Sequence, residues 1–251
     1  MMLSFTVLFS VALVLRVVAA QDVKCSHLHL IYARATMEAK GYGAAGGSLI
    51  TELKKLVPTV TTYAVDYPAD WSGCATETKG VNDILKHIDA ISKACPEQRF
   101  VLGGHSQGSV VVKSSIPKIP QAAKANLLAV TMFGAPPCPA EVKDKCKSYC
   151  NAGDDICAGT SNPKSDGLCK DAKGVKLWTG APIQDEEIMD LATVMNYQNG
   201  AFDAKAAEEC NADVPEKGHA VSGFAKSYNR DAFYTKAAAC YIFKKLKGGL
   251  A

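Results

Sequence analysis

The sequence predicts an α/β fold, a three-layer α/β/α sandwich with a central, mostly parallel five-stranded sheet. Two observations lead to this prediction. Short runs of high β propensity alternate along the chain with longer runs whose apolar residues recur at helical spacing. The run over residues 127–133 is almost continuously apolar, which is typical of a strand that helices cover on both faces.

The strand predictions rest on short apolar and β-branched runs. They span residues 28–33, 59–65, 100–103, 127–133 and 147–150. The run 59–65 is rich in threonine and valine, which suit a pleated and partly buried surface.

The main helix predictions rest on apolar residues spaced three and four apart. They span residues 46–57, 81–94 and 230–243. In the first, Leu49 and Leu53 fall on one face, and Pro58 ends the helix. The second carries apolar residues at the same spacing: Val81, Ile84, Leu85, Ile88 and Ile91.

Residues 1–20 are strongly apolar and end in Val18-Ala19-Ala20, small residues that suit signal peptidase. We predict a secretory signal peptide cleaved after Ala20, with an uncleaved anchor as the alternative. Residues 21–251 are predicted to form one domain without a membrane span. The net charge of +3 is not clustered, so nothing indicates a nucleic-acid partner.

All ten cysteines follow the predicted signal peptide, and this even count indicates disulfides in a secreted protein. A structural zinc site at Cys146, Cys150 and Cys157 is the alternative, but no nearby histidine completes a zinc pattern. Residues 158–217 form a polar insertion in which only residues 185–195 carry a helical pattern. Loops of this length are unusual in a compact domain, so the insertion is either a lid or a disulfide-stapled surface excursion.

One motif points to a chemical function. Gly104-His105-Ser106-Gln107-Gly108 follows a predicted strand directly and leads into a segment that can be helical. It matches the G-x-S-x-G nucleophile elbow, a sharp strand-to-helix turn that exposes a serine hydroxyl. Glycines on both sides let the strand and the helix approach closely. The motif predicts a serine hydrolase with Ser106 as the nucleophile.

A nucleophilic serine needs a base, and histidine has the pKa that suits this task near neutral pH. Of the five histidines, only His219 lies well downstream of Ser106, as the order serine, acid, histidine of α/β hydrolases requires. The acid must then lie between these two residues. Asp154 and Asp155 follow the last predicted strand in a loop flanked by cysteines, and their chemistry alone does not separate them.

Seven short segments match segments of a known family in the same order along the chain. They are Ile31-Tyr32-Ala33-Arg34, Tyr67-Pro68-Ala69, Cys95-Pro96, Gly104-His105-Ser106-Gln107-Gly108, Phe133-Gly134-Ala135-Pro136, Gly153-Asp154-Asp155-Ile156-Cys157 and Gly218-His219. By these segments the chain resembles the cutinase family of secreted serine esterases, which includes cutinases and acetylxylan esterases. The resemblance implies a cutinase-like α/β-hydrolase fold.

The resemblance also implies a role for each site residue. It places the acid at Asp154, beside the nucleophile Ser106 and the base His219. It implies an oxyanion hole made by Thr36, at the family's serine position, and by the backbone N–H of Gln107. The chain departs from the family in its long insertion between the acid and the base.

Further expectations follow from the resemblance. It implies the disulfides Cys25–Cys95 and Cys150–Cys157. It implies a polymeric or lipid-like ester as substrate, with cutin polyester first and acetylated xylan as the alternative. We expect a monomer that uses no metal or organic cofactor.

Two other functions compete with a hydrolase. Gly41-Tyr42-Gly43-Ala44-Ala45-Gly46 matches the G-x-G-x-x-G dinucleotide fingerprint, but the predicted strand ends several residues before these glycines. A secreted effector or binding protein on a hydrolase scaffold is the other alternative. The presence of Ser106, Asp154 and His219 together favours an enzyme.

Overall fold

The computed structural model describes residues 25–154, 156–157, 204–221 and 227–248. Within these ranges the strands are β1 (His29–Ala33), β2 (Thr61–Ala64), β3 (Phe100–His105), β4 (Leu127–Phe133), β5 (Cys146–Asn151) and β6 (Lys217–His219). They form one sheet in the order β2-β1-β3-β4-β5-β6. Every neighbouring pair of strands is parallel.

The helices connect these strands and cover them. Those in the described ranges are α1 (Gly43–Leu56), α2 (Cys74–Ala94), α3 (Gln107–Ser115), α4 (Gln121–Lys124), α5 (Ala204–Glu208) and α6 (Phe233–Gly248). Two short 3-10 helices span Ile116–Lys118 and Ala140–Lys145. None of the helices in the described part of the chain combines the length and the apolar run that a membrane crossing needs.

Side-chain alternation along the strands divides the apolar core into two layers. In β1, Leu30 and Tyr32 pack with α1 and α6 on one face of the sheet. Ile31 and Ala33 point to the opposite face and pack with α2 and α3. The period of two residues along a strand produces this division. The predicted three-layer α/β/α sandwich is therefore confirmed.

The predicted strand number is wrong, because the described part of the chain already contributes six strands to the sheet and not five. The additional strand, β6, contains only Lys217, Gly218 and His219. Its pairing with β5 places His219 beside Asn151. Three polar or flexible residues carry no β pattern, so this strand depends on the tertiary position of the chain rather than on local propensity.

Helix boundaries also differ from the predictions. Helix α2 begins at Cys74, seven residues before the predicted start at Val81. Its first two turns have little apolar periodicity, and among them only Thr76 and Gly80 are buried. The predicted signal peptide over residues 1–20 and the helical pattern over 185–195 lie outside the described residues.

Four disulfides join described cysteines. They are Cys25–Cys95, Cys138–Cys146, Cys150–Cys157 and Cys210–Cys240. The zinc alternative fails because all three of its proposed ligands are in disulfides. Disulfides of this number are typical of proteins that fold in an oxidising compartment.

A pair of histidines, His29 buried and His87 half-buried, lies at the amino end of the sheet, away from the elbow. The Nε2 atoms of His29 and His87 are 2.8 Å apart, and His29 Nδ1 lies 2.8 Å from Thr61 Oγ1. The Tyr63 ring stacks on His87 with a centroid distance of 3.6 Å. Burial lowers the pKa of His29 to about 4. Burial, and then the charge of His29, lower the pKa of His87 to about 3.

This pair predicts a loss of stability in acid. The ordinary histidine pKa is 6.5, so the unfolded chain takes up protons before the folded one as the pH falls. Stability from the neutral pair is complete above pH 6.5 and is lost as the pH falls toward 4. We expect the unfolding free energy to fall by about 3 to 6 kcal/mol through these two residues.

Urea unfolding at several pH values between 7 and 4 measures this loss. The variant His87→Gln removes one of the two titrating groups, so its stability should fall with pH about half as steeply in this range. An equal slope in the variant and the wild type would contradict the prediction.

Candidate active site

The nucleophile elbow is formed by the junction of β3 and α3. Strand β3 ends at His105, Ser106 follows, and α3 begins at Gln107. Ser106 has φ 52° and ψ −119°, a left-handed backbone conformation that a non-glycine residue seldom adopts. Such strain is concentrated at functional sites, where the surrounding structure holds it. The Ser106 N–H donates to the Phe133 carbonyl over 2.9 Å, which fixes the turn against β4.

The two glycines of the motif are required by close backbone contacts. A Cβ atom on Gly108 would collide with the carbonyl oxygen of Ala33 at the end of β1. A Cβ atom on Gly104 would lie 2.6 Å from the carbonyl group of Gly108. Glycine therefore allows α3 to start directly against the sheet, as the sequence motif predicted.

The residues of the expected oxyanion hole lie on adjoining segments. Gln107 is the first residue of α3, so its backbone N–H has no acceptor within the helix. Its side-chain Nε2 donates to the Asp70 carbonyl over 2.9 Å. Thr36 is half-buried in the turn that follows β1, the strand whose end contacts Gly108. Ser106 is half-buried, and its hydroxyl makes no hydrogen bond to any of the described residues.

The Asp154 carboxylate lies in the loop after β5, and its residue is only 5% exposed. Its Oδ2 accepts a hydrogen bond of 2.6 Å from the Tyr228 hydroxyl. Its Oδ1 accepts the Ile156 N–H over 3.1 Å. The Cys150–Cys157 disulfide closes this loop at both ends. Asp155, the other sequence candidate, lies outside the described residues.

His219 ends β6 and has a different carboxylate partner from the expected one. Its Nε2 lies 2.6 Å from Asp231 Oδ2, and its ring stacks on Phe233 with a centroid distance of 3.7 Å. Within the described residues, no hydrogen bond joins His219 to Ser106 or to Asp154. The structure therefore holds the proposed acid and the proposed base in separate contacts.

The proposed site residues nevertheless all lie at the carboxyl edge of the sheet. Ser106 follows β3, Asp154 follows β5 and His219 ends β6, and these strands are parallel neighbours with β4 between β3 and β5. The carboxyl ends of parallel strands meet at one edge, where α/β proteins bind their ligands. The backbone places His219 near the loop after β5 that carries Asp154 (the acid loop), since the Ala152 N–H donates to the His219 carbonyl over 2.8 Å.

Sequence reasoning missed Tyr228 and Asp231. Both follow His219 in the chain, and the expected order serine, acid, histidine restricted the search for an acid to the residues before it. Burial, and then the hydrogen bond to Asp154, raise the pKa of Tyr228 well above its ordinary value, so its hydroxyl stays protonated. Partial burial is the largest single influence on the Asp231 pKa and raises it, but the hydrogen bonds from His219 and from the Phe233 N–H, together with the charge of His219, outweigh burial and lower the pKa.

Two large apolar side chains are exposed beside the elbow. Met37 is 69% exposed and Trp71 is 83% exposed. The Met37 N–H donates to the Ala69 carbonyl, and the backbone carbonyl of Asp70, the residue before Trp71, accepts a hydrogen bond from the Gln107 side chain. These contacts place both apolar residues on segments that adjoin the nucleophile. Among the described residues, no group of three or more histidine, cysteine, aspartate or glutamate side chains could hold a metal ion.

A strained serine between a parallel strand and a helix, at the carboxyl edge of the sheet, defines an α/β-hydrolase-like fold. The chain belongs to the cutinase family, whose family model matches residues 24–168. This match confirms the resemblance that the seven sequence segments indicated. Tyr228 and Asp231 lie beyond the matched residues.

Curated relatives match part of the chain. Carboxylesterase Culp1 of Mycobacterium bovis is 36% identical over 120 residues, which cover 47% of this chain and 55% of that protein. A cutinase of Kineococcus radiotolerans is 32% identical over 161 residues, covering 56% of this chain and 54% of that protein. The chain spans about half the length of these relatives. A solved cutinase-like protein from Cryptococcus sp. has a TM-score of 0.49 and 21% identity, over 53% of this chain and 80% of that one.

Proposed function

We propose that this protein is a secreted serine esterase of the cutinase type. Ser106 is the nucleophile, His219 the general base and Asp154 the acid that orients the base. The single observation that carries the proposal is the strained Ser106 turn at the carboxyl edge of the sheet. Membership in the cutinase family supports it, and the four disulfides support an oxidising, extracellular location.

In the proposed mechanism, His219 accepts the Ser106 proton while the serine oxygen bonds to the ester carbonyl carbon. Thr36 and the Gln107 N–H stabilise the negative oxygen of the tetrahedral intermediate. The bond to the alcohol then breaks, and the alcohol leaves with the proton from His219. Water, deprotonated by His219, then attacks the acyl carbon. The bond from that carbon to the Ser106 oxygen breaks, His219 returns the proton to the serine oxygen, and the carboxylic acid leaves.

This mechanism requires His219 to exchange its Asp231 contact for contacts with Ser106 and Asp154. Hydrogen bonds in ligand-free active sites are often long or misaligned and become productive only with substrate bound. The Asp231 side chain is 45% exposed, and exposed ion pairs contribute only about 0 to 1 kcal/mol. Such a contact is weak enough for a bound substrate to displace.

The exposed apolar side chains support a polymeric or lipid-like ester as the substrate. Met37 and Trp71 can contact an acyl chain next to Ser106, and each buried CH₂ group contributes about 0.8 kcal/mol. An acetyl group offers too little apolar area to use this surface. We therefore propose cutin-like polyesters and medium-chain esters ahead of acetylated xylan.

A side-by-side assay tests this preference. We expect p-nitrophenyl butyrate to react about tenfold faster than the acetate in kcat/KM, and polyester film to release acid while acetylxylan does not. Trp71→Ala should reduce the butyrate rate and leave the acetate rate unchanged. Preference for acetyl groups would make the protein an acetylxylan esterase. No hydrolysis of any ester would instead favour the binding-protein alternative.

A further inference from the structure

We infer that Tyr228 is a positioning residue for the catalytic acid, fixing the Asp154 carboxylate through a hydrogen bond from its hydroxyl. Tyr228 lies outside the residues that the family model matches. The inference rests on the proposed function, because it assigns Tyr228 a role that acts only through Asp154.

The direction of the hydrogen bond follows from the other contacts of the hydroxyl. The Asn151 N–H donates to the Tyr228 oxygen over 3.1 Å. A phenol has one proton to donate, and Tyr228 directs that proton to Asp154 Oδ2 at 2.6 Å. A hydrogen bond to a carboxylate is about twice as strong as one between neutral groups, so this contact holds the orientation of Asp154.

The Tyr228 ring is fixed by its surroundings. The residue is 2% exposed, and its ring meets the His105 ring edge-on with a centroid distance of 5.2 Å. His105 directly precedes the nucleophile, so the ring connects the acid loop to the elbow. Gly134 has φ 55°, and a Cβ atom there would lie 2.9 Å from Asp154 Oδ2 and 3.1 Å from Tyr228 Cε2. Asp154 and Tyr228 thus pack together against the backbone of Gly134, where a side chain would not fit.

These contacts use specific parts of the carboxylate. Tyr228 binds Oδ2 and the Ile156 N–H binds Oδ1, so both oxygens of Asp154 have a donor that sets their position. A carboxylate oxygen can accept more than one hydrogen bond, which leaves capacity for the His219 imidazole. Without the Tyr228 donor, the carboxylate could rotate, and an error of about 1 Å in an active-site group can cost about 100-fold in rate.

The variant Tyr228→Phe removes the hydroxyl and keeps the ring. We expect kcat for p-nitrophenyl butyrate to fall about 10- to 50-fold, while KM stays within about twofold. Tyr149→Phe is the matched control. Tyr149 is also 2% exposed and packs on Phe133 at 5.7 Å, but its hydroxyl makes no hydrogen bond to the described residues. The control should keep its kcat, and an equal loss in both variants would overturn the inference.

A double-variant cycle separates positioning from a general structural effect. In an Asp154→Asn background, Tyr228→Phe should lower kcat by less than about twofold, because the carboxylate it positions is already absent. An equal loss in both backgrounds would mean that Tyr228 acts independently of Asp154. Ser106→Ala is measured alongside. If Ser106→Ala keeps full activity, the proposed esterase function fails. If Ser106→Ala loses activity but Tyr228→Phe keeps the wild-type rate, only the positioning role of Tyr228 is overturned.

Discussion

Replacing Ser106 with alanine is expected to lower kcat for p-nitrophenyl butyrate by at least about 10⁴-fold. The serine oxygen forms the covalent bond to the substrate, and no other residue can take this position at the strained turn. Binding and the oxyanion hole alone leave a residual rate of about 10³- to 10⁴-fold over water in such enzymes. Steady-state hydrolysis and labelling by a fluorophosphonate, which modifies only an activated serine, measure the loss together.

Ser92→Ala provides the control for this substitution. Ser92 lies on α2 and is half-buried like Ser106, so its replacement changes the same atoms at a similar depth. We expect Ser92→Ala to keep both the hydrolysis rate and the labelling. A retained rate in Ser106→Ala would exclude Ser106 as the nucleophile and would remove the basis of the proposed mechanism.

Local chemistry explains which parts of the fold the sequence predicts. Strand β4 spans the predicted residues, Leu127–Phe133, because a short and almost continuously apolar run suits a parallel strand that helices cover on both faces. The elbow at Ser106 is predictable because its glycines are required by contacts between neighbouring segments. Strand β6 is not predictable, since its three residues pair with β5 only through the tertiary fold.

The same distinction applies to the candidate site. Ser106 and the loop of Asp154 are recognisable from motifs whose chemistry is local. The partners of these residues are not, because Tyr228 and Asp231 follow His219 in a segment without a motif. Their contacts arise where the chain enters α6, and a hydrogen bond between residues 74 positions apart leaves no pattern in the sequence.

The second large effect is expected from replacing the catalytic acid, for which Asp154 and Asp231 are the two candidates. Asp154 is 5% exposed and is held by two hydrogen-bond donors, but among the described residues no hydrogen bond joins it to His219. The Asp231 side chain is 45% exposed and does contact His219. A buried and oriented carboxylate stabilises the imidazolium of the transition state far more than a solvated one, because solvent screens the exposed charge. We therefore expect Asp154 to be the acid in catalysis.

Asparagine substitutions test this choice because they preserve shape and remove charge. Asp154→Asn should lower kcat by about 10³- to 10⁴-fold, since an amide no longer holds the imidazole tautomer that accepts the serine proton. Asp231→Asn should change kcat by less than about fivefold, and toward an increase, because it releases His219 Nε2 from the contact that keeps it from Ser106. Measurements of kcat and of fluorophosphonate labelling on both variants decide the matter. A large loss in Asp231→Asn with little loss in Asp154→Asn would reverse the assignment, and the 2.6 Å contact between Asp231 and His219 would then be the catalytic one.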